Sequence, residues 1–336
     1  MNSANQTSKY KVNKIILMLL DNIVLIILLI LILALALMTD KFMTTVNWLN
    51  ILKAVALKGV IAFGMTMVII CGQIDLSIGS VVAISGVIAA WCAENLPEMW
   101  GLTVDWAAII GIVVALLFAV LMGTFHAYSH VKFGMPAFII TLATQLFLFG
   151  LAGLICGGYP IAGKMPAWFN NFGFGRVGTV PIPAIVLVIF FLISWFIMDF
   201  TSMGRSIYAV GGNPEAARLS GINVMKTQMF SFSATAVLAA ISGFMVSGQV
   251  MQASFTFGKG WETDVISSVV IGGTSMNGGI GKITGTMLGV IFIGVISNGM
   301  TLLNVSVYMQ YVIRSLLLFE AVLISIYLPQ MKQKLS

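Results

Sequence analysis

The sequence predicts an all-α, polytopic membrane protein with about ten transmembrane helices, and two observations support this fold class. Of its 336 residues, 59% are hydrophobic and only 8% are charged, whereas a soluble domain carries roughly 25% charged residues. The apolar residues also come in blocks of about 20, the length that crosses the hydrocarbon core of a bilayer. The composition excludes an ordinary soluble protein, and we predict that residues 1–336 form a single transmembrane domain.

Ten apolar blocks are bounded by charges or turn residues, and the first is too long for the core of a signal peptide. We therefore predict an uncleaved first helix and spans at 15–38, 54–71, 76–93, 106–125, 136–156, 181–198, 228–248, 265–281, 284–303 and 307–328. With the N-terminus inside, the loops assigned to the cytoplasm hold ten Lys and Arg residues and the opposite loops hold five. This excess agrees with the positive-inside rule and places both termini in the cytoplasm. The net charge of +6 then belongs to the cytoplasmic membrane face, and we expect no nucleic-acid partner.

Ionisable side chains inside the predicted spans need an explanation, because each costs at least a few kcal/mol when it faces lipid. Lys58 lies near enough to a predicted outer end for its amine to reach the headgroups. Arg314 and Glu320 are six residues apart and cannot form an i, i+4 pair with each other. We predict that their partners lie on other helices or on a second subunit, in either a structural or a transport role.

Histidines and cysteines show no convincing metal site. His126 and His130 are spaced i, i+4 and can share a helical face, but they fall at a predicted inner helix end without an adjacent carboxylate or cysteine. A solvated helix end is the better interpretation, and we expect no metal ion. Cys71, Cys92 and Cys156 are interpreted as small buried hydrophobes.

Two stretches, 72–80 and 271–282, interrupt apolar blocks with glycine and polar residues. In the first, Asp75 or Ser77 can accept backbone N–H groups at a helix start. Irregular backbone at membrane depth is tolerated only where protein or a water-filled cavity surrounds it, and paired breaks in the two halves of a transporter indicate the translocation path. One break in each half is consistent with two inverted five-helix halves. The candidates for lining the path or capping broken helices are Gln73, Asp75, Ser77, Gly272, Gly273, Thr274, Ser275 and Asn277.

The longest predicted cytoplasmic connection, residues 199–227, contains signals for a short helix. Asn213 and Pro214 form an N-cap and first-turn pair, Glu215 follows at the positive end of the helix dipole, and Gly221 can end the helix in a left-handed conformation. We expect this helix to have nothing of its own chain to bury against, so that it either binds a partner protein or rests on the membrane.

A nucleotide-binding P-loop is absent at Gly281-Lys282. That motif needs glycine where Met276 stands and serine or threonine where Ile283 stands. We therefore expect no ATP hydrolysis by this chain.

The chain resembles a known family in three motifs. Glu215-Ala216-Ala217, followed by Gly221, is similar to the coupling segment of ABC-importer permeases. Residues 72–80 are similar to the Gly-Gly-Ile-Asp-Leu-Ser-Val-Gly-Ser signature of ribose-type monosaccharide permeases, with Gln73 in place of a glycine, and residues 270–281 match their glycine-rich stretch in the second half. The resemblance, to the branched-chain amino acid/ribose permease family, covers nearly the whole chain in order.

This resemblance implies a non-catalytic permease subunit of an ATP-driven monosaccharide importer in the bacterial inner membrane. Its implied partners are a cytoplasmic ABC ATPase subunit that consumes the ATP, an extracytoplasmic sugar-binding protein that delivers ribose, galactose, xylose or a similar sugar, and a second permease copy in a homodimer or heterodimer. The chain itself is expected to need no cofactor. The residues implied to contact the ATPase are Asn213, Pro214, Glu215, Ala216, Ala217 and Gly221.

Two alternatives remain open on sequence alone. An ion-coupled secondary transporter also uses broken helices, and Asp21, Asp75 or Glu320 could form its ion site, but it would not need the helix at 213–221. ABC permeases for nucleosides, autoinducers or branched-chain amino acids share the architecture. A membrane enzyme or a scaffold is less well supported than either.

Overall fold

The computed structural model describes residues 22–335, with side chains over 22–327, and this part of the chain is almost entirely helical. Its helices are α1 (Ile23–Met38), α2 (Thr45–Ile70), α3 (Ile78–Trp100), α4 (Val104–Phe133), α5 (Ala137–Ile155), α6 (Asn170–Phe174), α7 (Ile182–Phe200), α8 (Ser202–Gly212), α9 (Pro214–Leu219), α10 (Val224–Val250), α11 (Trp261–Ile271), α12 (Ile283–Leu302) and α13 (Val307–Leu335). A 3₁₀ turn at Ala167–Phe169 and four strands, β1 (Ile161–Ala162), β2 (Arg176–Val177), β3 (Val180–Pro181) and β4 (Gln252–Ala253), complete the described elements.

Eight of these helices, α2 to α5, α7, α10, α12 and α13, are long and apolar enough to cross a membrane. The prediction of an all-α polytopic membrane protein is therefore confirmed. Helix α1 is apolar but starts close to the first described residue, so the beginning of the predicted span 15–38, with Asp21, lies outside the described residues.

Helices α2, α3 and α10 form the centre of the bundle, where small residues bring backbones close together. A Cβ on Gly64 of α2 would lie 2.6 Å from the Thr235 α-carbon of α10, and one on Gly123 of α4 would overlap the backbone at Ser233. Close backbone approach is the usual means of helix association in lipid, where apolar burial offers little driving force. The core that positions the two interrupted stretches is thus held by packing at glycine and hydroxyl residues.

Several helices are longer than the hydropathy pattern predicts, and the extensions of α2 and α4 each correct an interpretation. Helix α2 starts at Thr45, where the Thr44 hydroxyl accepts the Asn47 N–H, so Lys58 lies at mid-helix and its assignment to an outer end was wrong. Helix α4 continues to Phe133 and ends at Gly134 with φ 68°. His126 is therefore fully buried rather than at a solvated helix end. Both helices continue through turns that contain several polar residues, which an apolar window does not include.

The eighth predicted span, 265–281, is not one continuous helix. Helix α11 has only 11 residues, about 16 Å at 1.5 Å per residue, and is followed by irregular backbone over 272–282. Gly273, Gly278 and Gly279 adopt φ values of 89°, 83° and 73°, which residues with a side chain rarely adopt. Three of the glycines that enrich this segment therefore allow the backbone to leave the helix.

Short strands close the end of the bundle that is predicted to face outward. Strand β1, after α5, pairs antiparallel with β4, after α10, with Ile161 opposite Ala253. The chain then continues through residues 254–260 towards the first turn of α3, where the Gly258 backbone packs against Gly79. Helix α11 consequently begins inside the bundle and beside α3.

Candidate functional site: two helix breaks, a coupling surface and a charged cluster

The first break, between α2 and α3, is organised by Asp75. Its Oδ1 accepts the Ser77 N–H at 2.8 Å and the Ser77 hydroxyl at 2.6 Å, while Ser80 Oγ donates to the Ser77 carbonyl at 2.7 Å. Asp75 thus accepts two hydrogen bonds from Ser77 just before α3 begins, whereas Ser77, the N-cap residue, makes no side-chain capping bond to the helix. Gly72 takes a φ of 77° and Gln73 is partly exposed.

The other oxygen of Asp75 faces His126, a contact that sequence reasoning missed. Asp75 Oδ2 lies 3.8 Å from His126 Nδ1, and both side chains are at most 1% exposed. Neither this oxygen nor either ring nitrogen has a hydrogen-bond partner among the described residues. The sequence spacing of His126 and His130 could not predict the contact between His126 and Asp75, because that contact depends on the packing of α4 against the break.

The second break is a tight turn stabilised by its own backbone. Ser275 N–H donates to the Ile280 carbonyl at 2.9 Å, and Asn277 N–H donates to Ser275 Oγ at 3.2 Å. Thr274 is buried, and its hydroxyl has no hydrogen-bond partner among the described residues. Gly272 packs against the Gly285 backbone of α12.

The two breaks meet. Gly279 N–H donates to the Ile70 carbonyl at 2.8 Å, and a Cβ on Gly278 would lie 3.0 Å from the Gly72 α-carbon. The predicted path residues are therefore divided. The turn at 272–279 contacts the last turn of α2, whereas Ser77 bonds to Asp75 and Asp75 faces His126 of α4.

Helix α8, which the sequence did not predict, contacts both breaks. A Cβ on Gly211 would overlap the Ile70 carbonyl oxygen and lie 2.7 Å from the Gly279 nitrogen. Tyr208 Oη donates to the Gly281 carbonyl at 2.9 Å, and the Cys71 thiol lies 4.0 Å from the Ile207 carbonyl. The amphipathic pattern over 202–212 was the available signal, with Ile207 and Val210 buried on one face.

Helix α9 follows α8 and has the capping interactions that the sequence predicts. Asn213 Oδ1 accepts the N–H groups of Glu215 and Ala216, both at 3.0 Å. Gly221 adopts φ 83°, and Ile222 N–H donates to the Ala217 carbonyl at 3.0 Å, as in a Schellman end. Ala217 is buried, so the expectation that this helix has nothing of its own chain to bury against was wrong.

The opposite face of α9 is exposed and carries both an ion pair and apolar side chains. Arg218 donates two hydrogen bonds to the Glu215 carboxylate, at 3.0 and 2.6 Å. The hydrogen bond from Arg218 holds the pKa of the Glu215 carboxyl below its ordinary value, and the same pair raises the pKa of Arg218. Ala216 is exposed, and Leu219 is 75% exposed. This face offers a small, ordered surface to another protein.

The Asn213 cap gives a first prediction. Asn213→Ala removes the acceptor of two N–H groups and should destabilise α9 by about 1 kcal/mol, which corresponds to roughly fivefold faster amide hydrogen exchange over 215–219. Asn213→Asp retains the acceptor oxygen and serves as the matched control. Equal exchange rates in both variants would show that the cap does not hold this helix.

A charged cluster lies between α2, α11 and α13. Lys58 Nζ donates to Asp264 Oδ2, and Arg314 Nη1 lies 3.3 Å from the same oxygen. The Trp261 ring centroid is 5.7 Å from Lys58 Nζ. The prediction that Arg314 has a partner on another helix is confirmed. Glu320, for which a partner was also predicted, has an exposed side chain. Asp264 was missed because it falls just before the predicted span at 265.

The cluster and the breaks do not include an evident metal centre. Among residues 22–327, no three His, Cys, Asp or Glu side chains lie close enough to hold a metal ion. The described residues bring the two backbone breaks together with α8, which is followed by the exposed helix α9, and they form a separate charged cluster between α2, α11 and α13.

Comparison with known proteins identifies relatives along nearly the whole chain. Residues 47–322 match the family model described as branched-chain amino acid transport system / permease component. The chain is 36% identical to the ribose import permease protein of Haemophilus influenzae over 96% of this chain and 98% of that protein, and 36% identical to the protein of the same name from Bacillus subtilis over 86% and 87%. It is 32% identical to the L-arabinose transport system permease protein of Escherichia coli over 92% and 91%.

No solved structure matches the chain at a significant level. The family match covers most of the chain, and the relatives align with it nearly from end to end. The chain therefore belongs to the family of branched-chain amino acid transport system permease components, as its resemblance to ribose-type ABC-importer permeases predicts, and it is a multi-pass permease of the bacterial inner membrane.

Proposed function

We propose that this permease carries a monosaccharide inward in an importer whose ATP is consumed by a separate ABC ATPase subunit. The observation that supports the ATPase partner best is the connection between α9 and the breaks. The exposed face of α9 is joined through Asn213 to α8, and α8 contacts the break at Ile70 and the break at Gly279. A force applied to α9 thus reaches both breaks through a continuous packed element.

The mechanism follows from this connection. An ATPase that grips α9 moves α8 with it, because Asn213 both ends α8 and begins α9 and the two helices contact each other. The movement of α8 displaces Gly211 from Ile70 and Gly279, and the hydrogen bond between the breaks is made or broken. Packed contacts with two discrete arrangements convert such small shifts into rigid-body motion, which would open the path to one side at a time.

The sugar assignment rests on the relatives. The ribose and L-arabinose permeases align with nearly the whole chain, so a pentose is the first substrate to test. The family description mentions branched-chain amino acids, which makes them the second class. We further propose that an extracytoplasmic binding protein delivers the solute and that a second permease copy completes the path. The outward-facing side chains of α13, most of which are exposed and apolar, provide a surface for that copy or for lipid.

Reconstituted uptake tests the proposal. The permease is placed in liposomes with its ATPase and binding protein, and labelled ribose, arabinose, galactose, leucine and a nucleoside are offered outside. We expect uptake of a pentose that requires ATP inside the liposome. Uptake of leucine or a nucleoside alone would overturn the sugar assignment, and uptake driven by an ion gradient without the ATPase would overturn the importer itself.

The exposed face of α9 gives a second prediction. Leu219→Asp places a charge on the surface proposed to bind the ATPase, and we expect the ATPase to be lost from the purified complex and ATP-dependent uptake to fall at least about tenfold, since burying an unpaired charge costs several kcal/mol. Ser202→Asp introduces the same charge at an exposed position at the start of α8, away from α9. It should leave the binding of the ATPase and the rate of uptake unchanged. Retention of the ATPase by Leu219→Asp would place the docking surface elsewhere.

A further inference from the structure

The cluster of Lys58, Asp264 and Arg314 has more hydrogen-bond donors than its own acceptors use. An ammonium carries three N–H donors and a guanidinium five, yet both groups converge on the single oxygen Asp264 Oδ2. Arg314 Nε is buried and has no hydrogen-bond partner among the described residues, so the donors that can face a solute are those of Lys58 Nζ and the terminal guanidinium nitrogens. The nearest further acid along the chain is Glu262, whose Oε2 is buried beside Gly79 of α3 and has no hydrogen-bond partner among the described residues, so it does not pair with either cation. The cluster therefore combines free donors with an excess of positive charge.

The two cations are partly exposed at membrane depth. Lys58, in the middle of α2, has 23% of its side chain exposed, and Arg314, two turns into α13, has 26%, whereas Asp264 has 3%. Exposed charges of this kind are too costly to face hydrocarbon and are normally turned to protein or to a water-filled cavity. The face that carries them is therefore not a lipid-facing surface.

A small cavity beside Lys58 has room for a water molecule. It has a volume of about 30 Å³ and is lined by Ala54, Lys58, Ser268 and Ser297 together with apolar residues. A site needs roughly 10–15 Å³ and a few polar partners to hold one water molecule. The cavity satisfies both conditions at the same level of α2 as the charged cluster.

We propose that Lys58 and Arg314, oriented by Asp264, form a donor-rich station on the route of the transported solute. The free N–H groups bind acceptor oxygens of a neutral, polyhydroxylated molecule as it passes. Asp264 is a positioning residue, which holds Lys58 of α2 and Arg314 of α13 against α11. The identity of the solute rests on the proposed function, but the exposure of this face to water does not.

Cysteine labelling tests the exposure without any transport assay. In the complete transporter in liposomes, with the three native cysteines replaced by serine, Ala54→Cys should react with a membrane-impermeant thiol reagent. Leu146→Cys, on the exposed face of α5 and also far from either helix end, is the lipid-facing control and should not react, whereas Tyr159→Cys in an exposed loop should react fully. An anionic reagent should label Ala54→Cys roughly tenfold faster than a cationic reagent of similar size, because the local charge is positive. Failure of Ala54→Cys to react, with Tyr159→Cys labelled, overturns the proposal.

Substitution of Lys58 tests its role in transport. Lys58→Gln leaves Arg314 to pair with Asp264, so we expect normal yield, loss of the preference for the anionic reagent, and uptake reduced about tenfold by the lost charged hydrogen bond. Lys58→Arg restores the charge and the donors and should recover both. Unchanged uptake in Lys58→Gln would show that the cluster only joins helices. If no sugar is transported by the unaltered protein, the proposed substrate is wrong, but the labelling pattern still decides whether this face lines a water-filled route.

Discussion

Gly211→Ala should abolish ATP-driven uptake. The added methyl group would overlap the Ile70 carbonyl oxygen, which is the same atom that accepts the Gly279 N–H. Backbone atoms lie on both sides of this position, so no side chain can rotate away, and overpacking of this kind costs up to about 3 kcal/mol. We expect α8 to separate from the breaks, with uptake reduced at least about tenfold, as 1.4 kcal/mol already corresponds to a factor of ten.

Gly212→Ala is the matched control for this prediction. The neighbouring glycine belongs to the same helix, but a Cβ there meets no atom within 4 Å. We expect uptake and the ATPase content of the complex to be unchanged. Measurement of both variants at equal membrane yield separates a loss of coupling from a loss of folding. Uptake by Gly211→Ala equal to that of Gly212→Ala would show that the contact of α8 with Ile70 and Gly279 plays no part in transport.

Most of the membrane-spanning helices could be predicted because the bilayer requires a feature that can be seen directly in the sequence. A span must be apolar for about 20 residues, and the eight long helices all lie within or around predicted blocks. The rule fails at helix ends, because α2 and α4 continue through residues that no longer resemble lipid-facing ones. It also fails at α11, since an apolar window does not distinguish a helix from a half-helix followed by a glycine-rich turn.

In the candidate site, too, local interactions could be predicted from the sequence, whereas long-range contacts could not. The cap of α9 and the turn at Gly221 involve residues within a few positions of one another, so their chemistry was legible in the sequence. The pairing of Asp75 with His126 and of Arg314 with Asp264 joins residues 50 or more positions apart, and the contact of Gly211 with Ile70 depends on backbone alone. Spacing carries no information about such contacts. The roles of the predicted path and coupling residues remain predictions that uptake and labelling can test.

Substitution of Gly289 should disrupt the hairpin that carries the second break. Helices α11 and α12 approach so closely that a Cβ on Gly289 would overlap the Ser268 carbonyl oxygen and lie 3.0 Å from the Gly272 nitrogen. Gly289→Val forces these helices apart and should destabilise the folded permease by about 3 kcal/mol, because neither backbone can yield without moving the turn at 272–282. The measurement is the fraction of permease that remains monodisperse in detergent after heating.

The same measurement on Gly150→Val isolates the cause. Gly150 lies in α5 and is exposed, and a Cβ there meets no atom within 4 Å, so the valine adds bulk and β-branching without an overlap. We expect this control to keep the heat resistance of the unaltered protein, while Gly289→Val aggregates at a lower temperature. Because Asp264 is on α11, the separation should also draw it away from Lys58 and Arg314, so that the two cations lose their shared carboxylate. Equal heat resistance in the two valine variants would mean that close approach of α11 and α12 is not what holds the second break in place.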